Sequence, residues 1–261
     1  MPKNRIPFMN TFLDNISAAE ALDYIDDWIA SGKTGRIITP NCDHIVQIEK
    51  KPSLKPIWDS AELLLADGHP LLWFAKWYGT PLKEKINGSS FTPELCGRAA
   101  EKGYGVFLLG AAPGVAQKAA ERLQKDYPGL CISGTYSPPF GFEKNPEEVK
   151  KINSMLKESK TDILILGLGS PKQEVFSYEN MEQYQIPVTI NAGATIDFLA
   201  GNQKRAPKWM IDNGLEWLYR MMKEPKRVGK RVLTDLSIFY LAWKYRPKPI
   251  ERNEQQNEEF Q

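Results

Sequence analysis

Asp67 is the residue best suited to moving a proton. It closes the apolar run 61–66 and is followed by Gly68 and His69. A carboxylate at the end of a strand, beside a cleft, can serve as a general base, and partial burial raises its pKa toward a useful value. Asp at this position can equally cap the next helix, and local sequence leaves both readings open. Thr39-Pro-Asn41 closes a second strand-like run, and Asn41 suits the cap of a following helix. Two glycine-rich turns, Gly110-Ala-Ala-Pro-Gly114 and Gly167-Leu-Gly-Ser-Pro171, could offer backbone N–H groups to a phosphate at a helix N-terminus. The second turn has the first two glycines of GxGxxG and lacks the third, and no Walker loop occurs. A dinucleotide cofactor is therefore not expected.

Metal chemistry is not expected either. The chain has two histidines, His44 and His69, and no HExxH; no two aspartates stand at i and i+2. Its three cysteines, Cys42, Cys96 and Cys131, form no CxxC pair and read as buried free thiols. An enzyme that expels a diphosphate without a metal needs fixed cations. They are present: residues 204–252 hold 13 Lys and Arg against 5 Asp and Glu, a local net charge of +8 in a chain of net +2. Such a segment suits an acidic partner, whether a phosphate-bearing substrate, an anionic membrane surface or a nucleic acid.

The elements that must position these residues follow a repeating beat. Short apolar runs at 36–39, 61–66, 105–110, 130–135, 162–167 and 187–191 read as strands. Helical patterns lie between them. One opens on the Ser17-Ala-Ala-Glu20 capping box, others follow Asn41, Gly114 and Pro171, one runs from Thr92-Pro93 to Lys102, and one from Asn145-Pro146 to Lys157. Apolar strands alternating with helices predict an α/β fold, a Rossmann-like parallel sheet flanked by helices, with ligands at the carboxyl ends of the strands. The turns named above all fall at that edge.

With 261 residues, 42% hydrophobic and 25% charged, the chain can bury a core. The composition divides it into a core over 1–203, a basic helical appendage over 204–248 and a polar tail over 249–261 that reads as disordered. In the appendage a helix starts near Arg205 and breaks at Glu224-Pro225; a second spans 226–246. Its stripe of Val232, Leu233, Leu236, Phe239, Tyr240 and Trp243 fits either an anionic membrane or the core. No apolar run approaches the roughly 18 residues of a spanning helix, and the N-terminus lacks a signal-peptide pattern, so a cytoplasmic protein is expected.

Several stretches together resemble the WecG/TagA/CpsF family of bacterial glycosyltransferases. They are Thr39-Pro-Asn41, Leu65-Ala-Asp67-Gly68, Val106-Phe-Leu-Leu-Gly110, Gly167-Leu-Gly-Ser-Pro-Lys-Gln-Glu174, Asp197-Phe-Leu-Ala-Gly201, Arg205-Ala-Pro207 and Gly214-Leu-Glu-Trp-Leu-Tyr-Arg220, then Glu224-Pro225. The resemblance implies a metal-independent, inverting transferase without a cofactor. Its donor would be a UDP-sugar carrying N-acetylmannosamine or a related sugar. Its acceptor would be a polyprenyl-diphosphate-linked sugar at the inner face of the cell membrane, undecaprenyl-diphosphate-GlcNAc in the teichoic acid members. It places Asp67 as the base, Thr39 and Asn41 at the active-site strand end, and Gln173 near the donor. Arg220, Arg227 and one of Lys230 or Arg231 fall on an appendage that closes over the diphosphate and touches the membrane. Lys85 stands where relatives commonly carry an arginine; it keeps the charge without the bidentate fork. Members of the family self-associate, which leaves a homo-oligomer open.

Two other functions compete. The same fold could take a different donor, such as UDP-glucose or a uronic acid in exopolysaccharide synthesis. A NAD-type oxidoreductase would use the same sheet, but the incomplete GxGxxG disfavours it. The Trp and Leu content of the basic helices favours a membrane over a nucleic acid as their partner.

Overall fold

The computed structural model describes residues 4–202, 206, 207, 209, 210, 218, 219, 222 and 236–247. Six parallel strands form the central sheet: β3 (Gly35–Ile38), β4 (Leu63–Leu64), β5 (Gly105–Gly110), β6 (Cys131–Tyr136), β7 (Ile163–Gly167) and β8 (Val188–Asn191). Their spatial order is β4-β3-β8-β7-β5-β6. Because side chains alternate along a strand, each strand feeds both faces. Ile37, Val106, Leu108, Ile163, Ile165, Val188 and Ile190 join a cluster with helices α1 (Ala18–Ser31), α5 (Gly88–Lys102), α6 (Val115–Asp126) and α9 (Thr195–Leu199). Ile38, Leu64, Phe107, Leu109, Leu164 and Leu166 meet α2 (Cys42–Lys50), α3 (Lys55–Asp59), α7 (Pro146–Glu158) and α8 (Lys172–Tyr184) on the other face. The sheet is thus covered on both sides, as continuous apolar strands require.

The chain leaves β5 toward β6 and leaves β7 toward β8, in opposite directions. That reversal opens a crevice at the carboxyl ends of β5 and β7, where open α/β sheets hold ligands.

Local chemistry explains most boundaries. The Ser17–Glu20 capping box forms in both directions, and Gly32 ends α1 in the left-handed conformation. Asn41 and Asn145 cap α2 and α7 through their side chains. Several expectations fail. Helix α5 starts at Gly88 rather than Thr92, because Asn87 Oδ1 accepts the Ser90 N–H and caps the helix; Pro93 therefore lies inside it. Of the run 61–66 only Leu63 and Leu64 pair as strand. Cys96 is buried, but Cys42 is half-buried and Cys131 is exposed.

Sequence patterning also missed an N-terminal hairpin, β1 (Arg5–Phe8) with β2 (Thr11–Asp14). Asp14 holds it to the sheet: its carboxylate takes a bidentate bond from Arg5 and the Leu64 N–H at 2.7 Å. The hairpin shares a small core with α2, α4 (His69–Trp77) and α10 (Ser237–Lys244). In α10 the buried side chains are Ile238, Leu241 and Ala242. The described part of the expected stripe, Leu236, Phe239, Tyr240 and Trp243, faces outward. Val232 and Leu233 lie outside the described residues.

Glu49 ties α10 to α2. Its carboxylate takes Lys244 Nζ at 2.5 Å and Tyr245 OH at 2.9 Å, and the lysine above all holds Glu49 below the usual carboxylate range. A depressed acid contributes stability above its unfolded pKa and loses it as pH falls through the folded value. Acidification below the carboxylate range should therefore loosen α10 before the central sheet. Hydrogen exchange at low pH checks this: faster exchange in α10 than in β7 is the expected result.

Candidate active site

Five strand ends converge on the carboxyl edge, in the order Asp67, Thr39–Asn41, Ala192–Gly193, Gly167–Pro171 and Gly110–Gly114. Asp67 follows β4 and is half-buried. Its N–H donates to the Pro40 carbonyl at 2.8 Å, which fixes it beside Thr39-Pro-Asn41. The cap of α4 falls on Gly68, at φ 114°, so Asp67 is not the cap residue that local sequence allowed. Ile86 N–H donates to the Ala66 carbonyl at 2.9 Å, so Lys85 and Asp67 flank one backbone bond. Thr39 is buried against the start of α5: a methyl group added at Gly88 would stand 3.4 Å from Thr39 Oγ1 and 3.5 Å from the Ala192 carbonyl.

Gly110 marks the crevice. It has φ 127°, and a Cβ there would meet the Gly167 carbonyl carbon and oxygen at 2.5 Å. Only glycine lets the β5 and β7 ends approach this closely. Ala111 N–H donates to the Gly167 carbonyl, and Ser137 Oγ donates to the Gly110 and Ala112 carbonyls. The turn is therefore braced from two sides. Asp67 and Gly110 end strands four inter-strand spacings apart, about 19 Å.

Gln173 is not open to the edge. It is 2% exposed, and its Oε1 accepts the Gly193 N–H at 3.1 Å. Its Nε2 donates to Glu174 Oε1 at 2.8 Å, and that oxygen lies 3.7 Å from His44 Nε2. His44 Nδ1 lies 3.1 Å from the Asn41 backbone N and 2.9 Å from Asn41 Oδ1. Two polar groups thus face each other, Asn41 with His44 at the end of β3 and Glu174 with Gln173 and Gly193 at the start of α8 and the end of β8, separated by the 3.7 Å from His44 to Glu174 without a hydrogen bond. Sequence reasoning singled out Asn41 and Gln173 for the site but gave His44 and Glu174 no role in it. The spacing that could have shown His44 is Asn41-x-x-His44, a capping box with histidine in the acceptor's place.

Glu174 is wholly buried, so its carboxylate depends on these partners. Replacing Glu174 with Ala should misplace Asn41 and the Gly193 turn, at a cost of about 100-fold in kcat. Glu174→Gln, which can still accept from Gln173, should recover much of that loss. Steady-state kinetics on both variants check it; equal loss in both would instead tie function to the charge of Glu174.

Arg220, Arg227, Lys230 and Arg231 lie outside the described residues. Among the described residues no three His, Cys, Asp or Glu side chains come together as a metal site needs, and no helix is long and apolar enough to cross a membrane. Among the described residues a cavity of about 110 Å³ is lined by Pro93, Arg122, Tyr127 and Phe198.

The Glycosyl transferase WecG/TagA/CpsF family matches residues 6–252. The chain is similar to an N-acetylglucosaminyldiphosphoundecaprenol N-acetyl-beta-D-mannosaminyltransferase of Bacillus spizizenii (strain ATCC 23059 / NRRL B-14472 / W23), with 30% identity over 87% of this chain and 84% of that protein. A family match running from the first strand to the basic C-terminal segment, and 30% identity over most of both chains, make the chain a glycosyltransferase of the WecG/TagA/CpsF family.

Proposed function

We propose that the protein transfers N-acetylmannosamine from UDP to GlcNAc-diphosphoundecaprenol, with inversion at the anomeric carbon and without a metal. The observation that supports the sugar and the acceptor is the similarity to the mannosaminyltransferase over 87% of this chain and 84% of that protein. Asp67 takes the proton of the acceptor hydroxyl. That oxygen forms a bond to the anomeric carbon as the bond from that carbon to the β-phosphate oxygen breaks. UDP leaves with the electron pair, and the proton passes from Asp67 to water.

The edge geometry favours one placement of the donor. The base works at the anomeric carbon, one oxygen away from the β-phosphorus. The Gly110 turn follows β5, four strands along the edge from the β4 end that leads to Asp67, so it is placed at the uridine end of the donor. The diphosphate then lies between them, where Lys85 and the arginines of the appendage neutralise it. Those basic residues also favour the anionic inner face of the membrane, where the lipid-linked acceptor resides.

The test is transfer to a GlcNAc-diphosphate-lipid from a panel of UDP-sugars, with and without a chelator. Turnover with UDP-N-acetylmannosamine in chelator, giving a β-linked product from an α-linked donor, supports the reading. Preference for UDP-glucose or a UDP-uronic acid would move the enzyme to another polymer, and loss of turnover in chelator would refute the metal-free mechanism.

A further inference from the structure

Among the described residues, five of the eight exposed aromatic side chains lie on two helices that touch. Trp73 and Trp77 on α4, and Phe239, Tyr240 and Trp243 on α10, are each 56–60% exposed. Trp73 and Trp77 are four residues apart, as are Phe239 and Trp243, so each pair shares a helix face. The helices are joined beneath that surface. The Phe74 and Phe239 rings meet edge to face at 5.6 Å, and Tyr78 OH donates to the Ala242 carbonyl at 2.7 Å. Neither helix carries an acidic residue. Lys76 is exposed on α4, and Arg246, just beyond α10, lies over the Trp243 ring at 5.6 Å.

Large exposed aromatic patches are costly in water unless they serve a contact. Lys244 is already paired with Glu49 of α2, but Trp and Tyr beside Lys76 and Arg246 match the chemistry of an anionic lipid headgroup layer. Helices of nine and eight residues, about 12–14 Å long, are far too short to span a bilayer and suit lying in its surface. α4 also links this surface to the site, because it begins at His69, two residues after Asp67. The His69 and Trp73 rings are 6.4 Å apart, and Trp73 lies about one helical turn from the strand-end edge.

We infer that α4 and α10 form one lipid-docking face, and that the polyprenyl acceptor reaches Asp67 along α4 with its chain leaving past Trp73 and Trp77. This rests on the lipid-linked acceptor proposed above. It adds a membrane anchor in the core, not only in the appendage, and an orientation with the strand-end edge turned toward the bilayer.

The test uses the full chain and the double variant Trp73→Ala/Trp77→Ala. Both side chains are exposed, so the melting temperature should hold; Trp73→Tyr/Trp77→Tyr keeps interfacial aromatics and serves as the second variant. Co-sedimentation with phosphatidylglycerol-containing vesicles should fall about tenfold or more for the Ala pair and much less for the Tyr pair. Turnover on an undecaprenyl acceptor in vesicles should fall in step, while turnover on the same headgroup carried by a short water-soluble chain stays unchanged. Unchanged vesicle binding, or equal loss on both acceptors, would overturn the inference. So would a dimer in light scattering that the Ala pair dissociates without altering vesicle binding, because the face would then belong to a second copy. A wild-type chain that binds vesicles but uses neither acceptor would refute the proposed reaction and leave the docking face standing.

Discussion

Asp67→Asn should retain donor binding and lose turnover by about 10²–10⁴-fold. The amide keeps the shape and the backbone bond from Asp67 N–H to the Pro40 carbonyl, so the strand-end edge remains intact. It cannot take the acceptor's proton. Half-burial at the end of β4 keeps the carboxylate within reach of a substrate while limiting water around it. The helix that follows is capped by Gly68, so removing the charge does not remove a cap, and stability should change little. UDP release in steady state, with donor affinity measured by titration, separates the two effects. Turnover near that of the unmodified chain would end the assignment of Asp67 as base.

Sequence carried the fold where local physics was strong. The Ser17–Glu20 box and the Asn41 and Asn145 caps each satisfy helix N–H groups with residues two or three positions away, so four-residue patterns reveal them. The run 105–110 is apolar throughout because both faces of the sheet are covered, and it matches β5 residue for residue. Long-range bonds were less visible. The Arg5–Asp14 pair that holds the hairpin, and the Asp14 contact to Leu64, join residues up to fifty positions apart. Pro93 misled because proline more often opens a helix than sits within one, and the stronger cap at Asn87 prevailed. In α10 the aromatic stripe left membrane and core both open; the smaller Ile238, Leu241 and Ala242 are buried and the aromatics are exposed. The site shows the same division. Asp67, Thr39 and Asn41 stood out because strand ends concentrate polar residues, whereas the His44–Glu174 contact spans 130 positions that no local pattern connects.

Removing the positive charges of the appendage should produce the second large effect. Arg220→Ala and Arg227→Ala should each lower kcat about 10²–10³-fold, because charge grows on the departing diphosphate and the proposed mechanism meets it with fixed cations. Arg→Lys at the same positions should recover only part of the loss, since an ammonium cannot make the paired bonds of a guanidinium to phosphate. Of Lys230 and Arg231, one should behave like the arginines and the other like the unmodified chain, which would decide which of them serves the site. Point variants are the right instrument here. Cutting the chain after Gly201 would also remove Ile238, Leu241 and Ala242, which share a core with Leu71 and Phe74, and Lys244, which pairs with Glu49. A truncated chain would then lose activity through exposed core surface as well as through missing charge, and the two losses could not be separated. With α10 retained, a fall in kcat at unchanged melting temperature isolates the electrostatic contribution. If all four substitutions left kcat unchanged, the diphosphate would have to be neutralised from the core, with Lys85 beside Asp67 as the group to replace next.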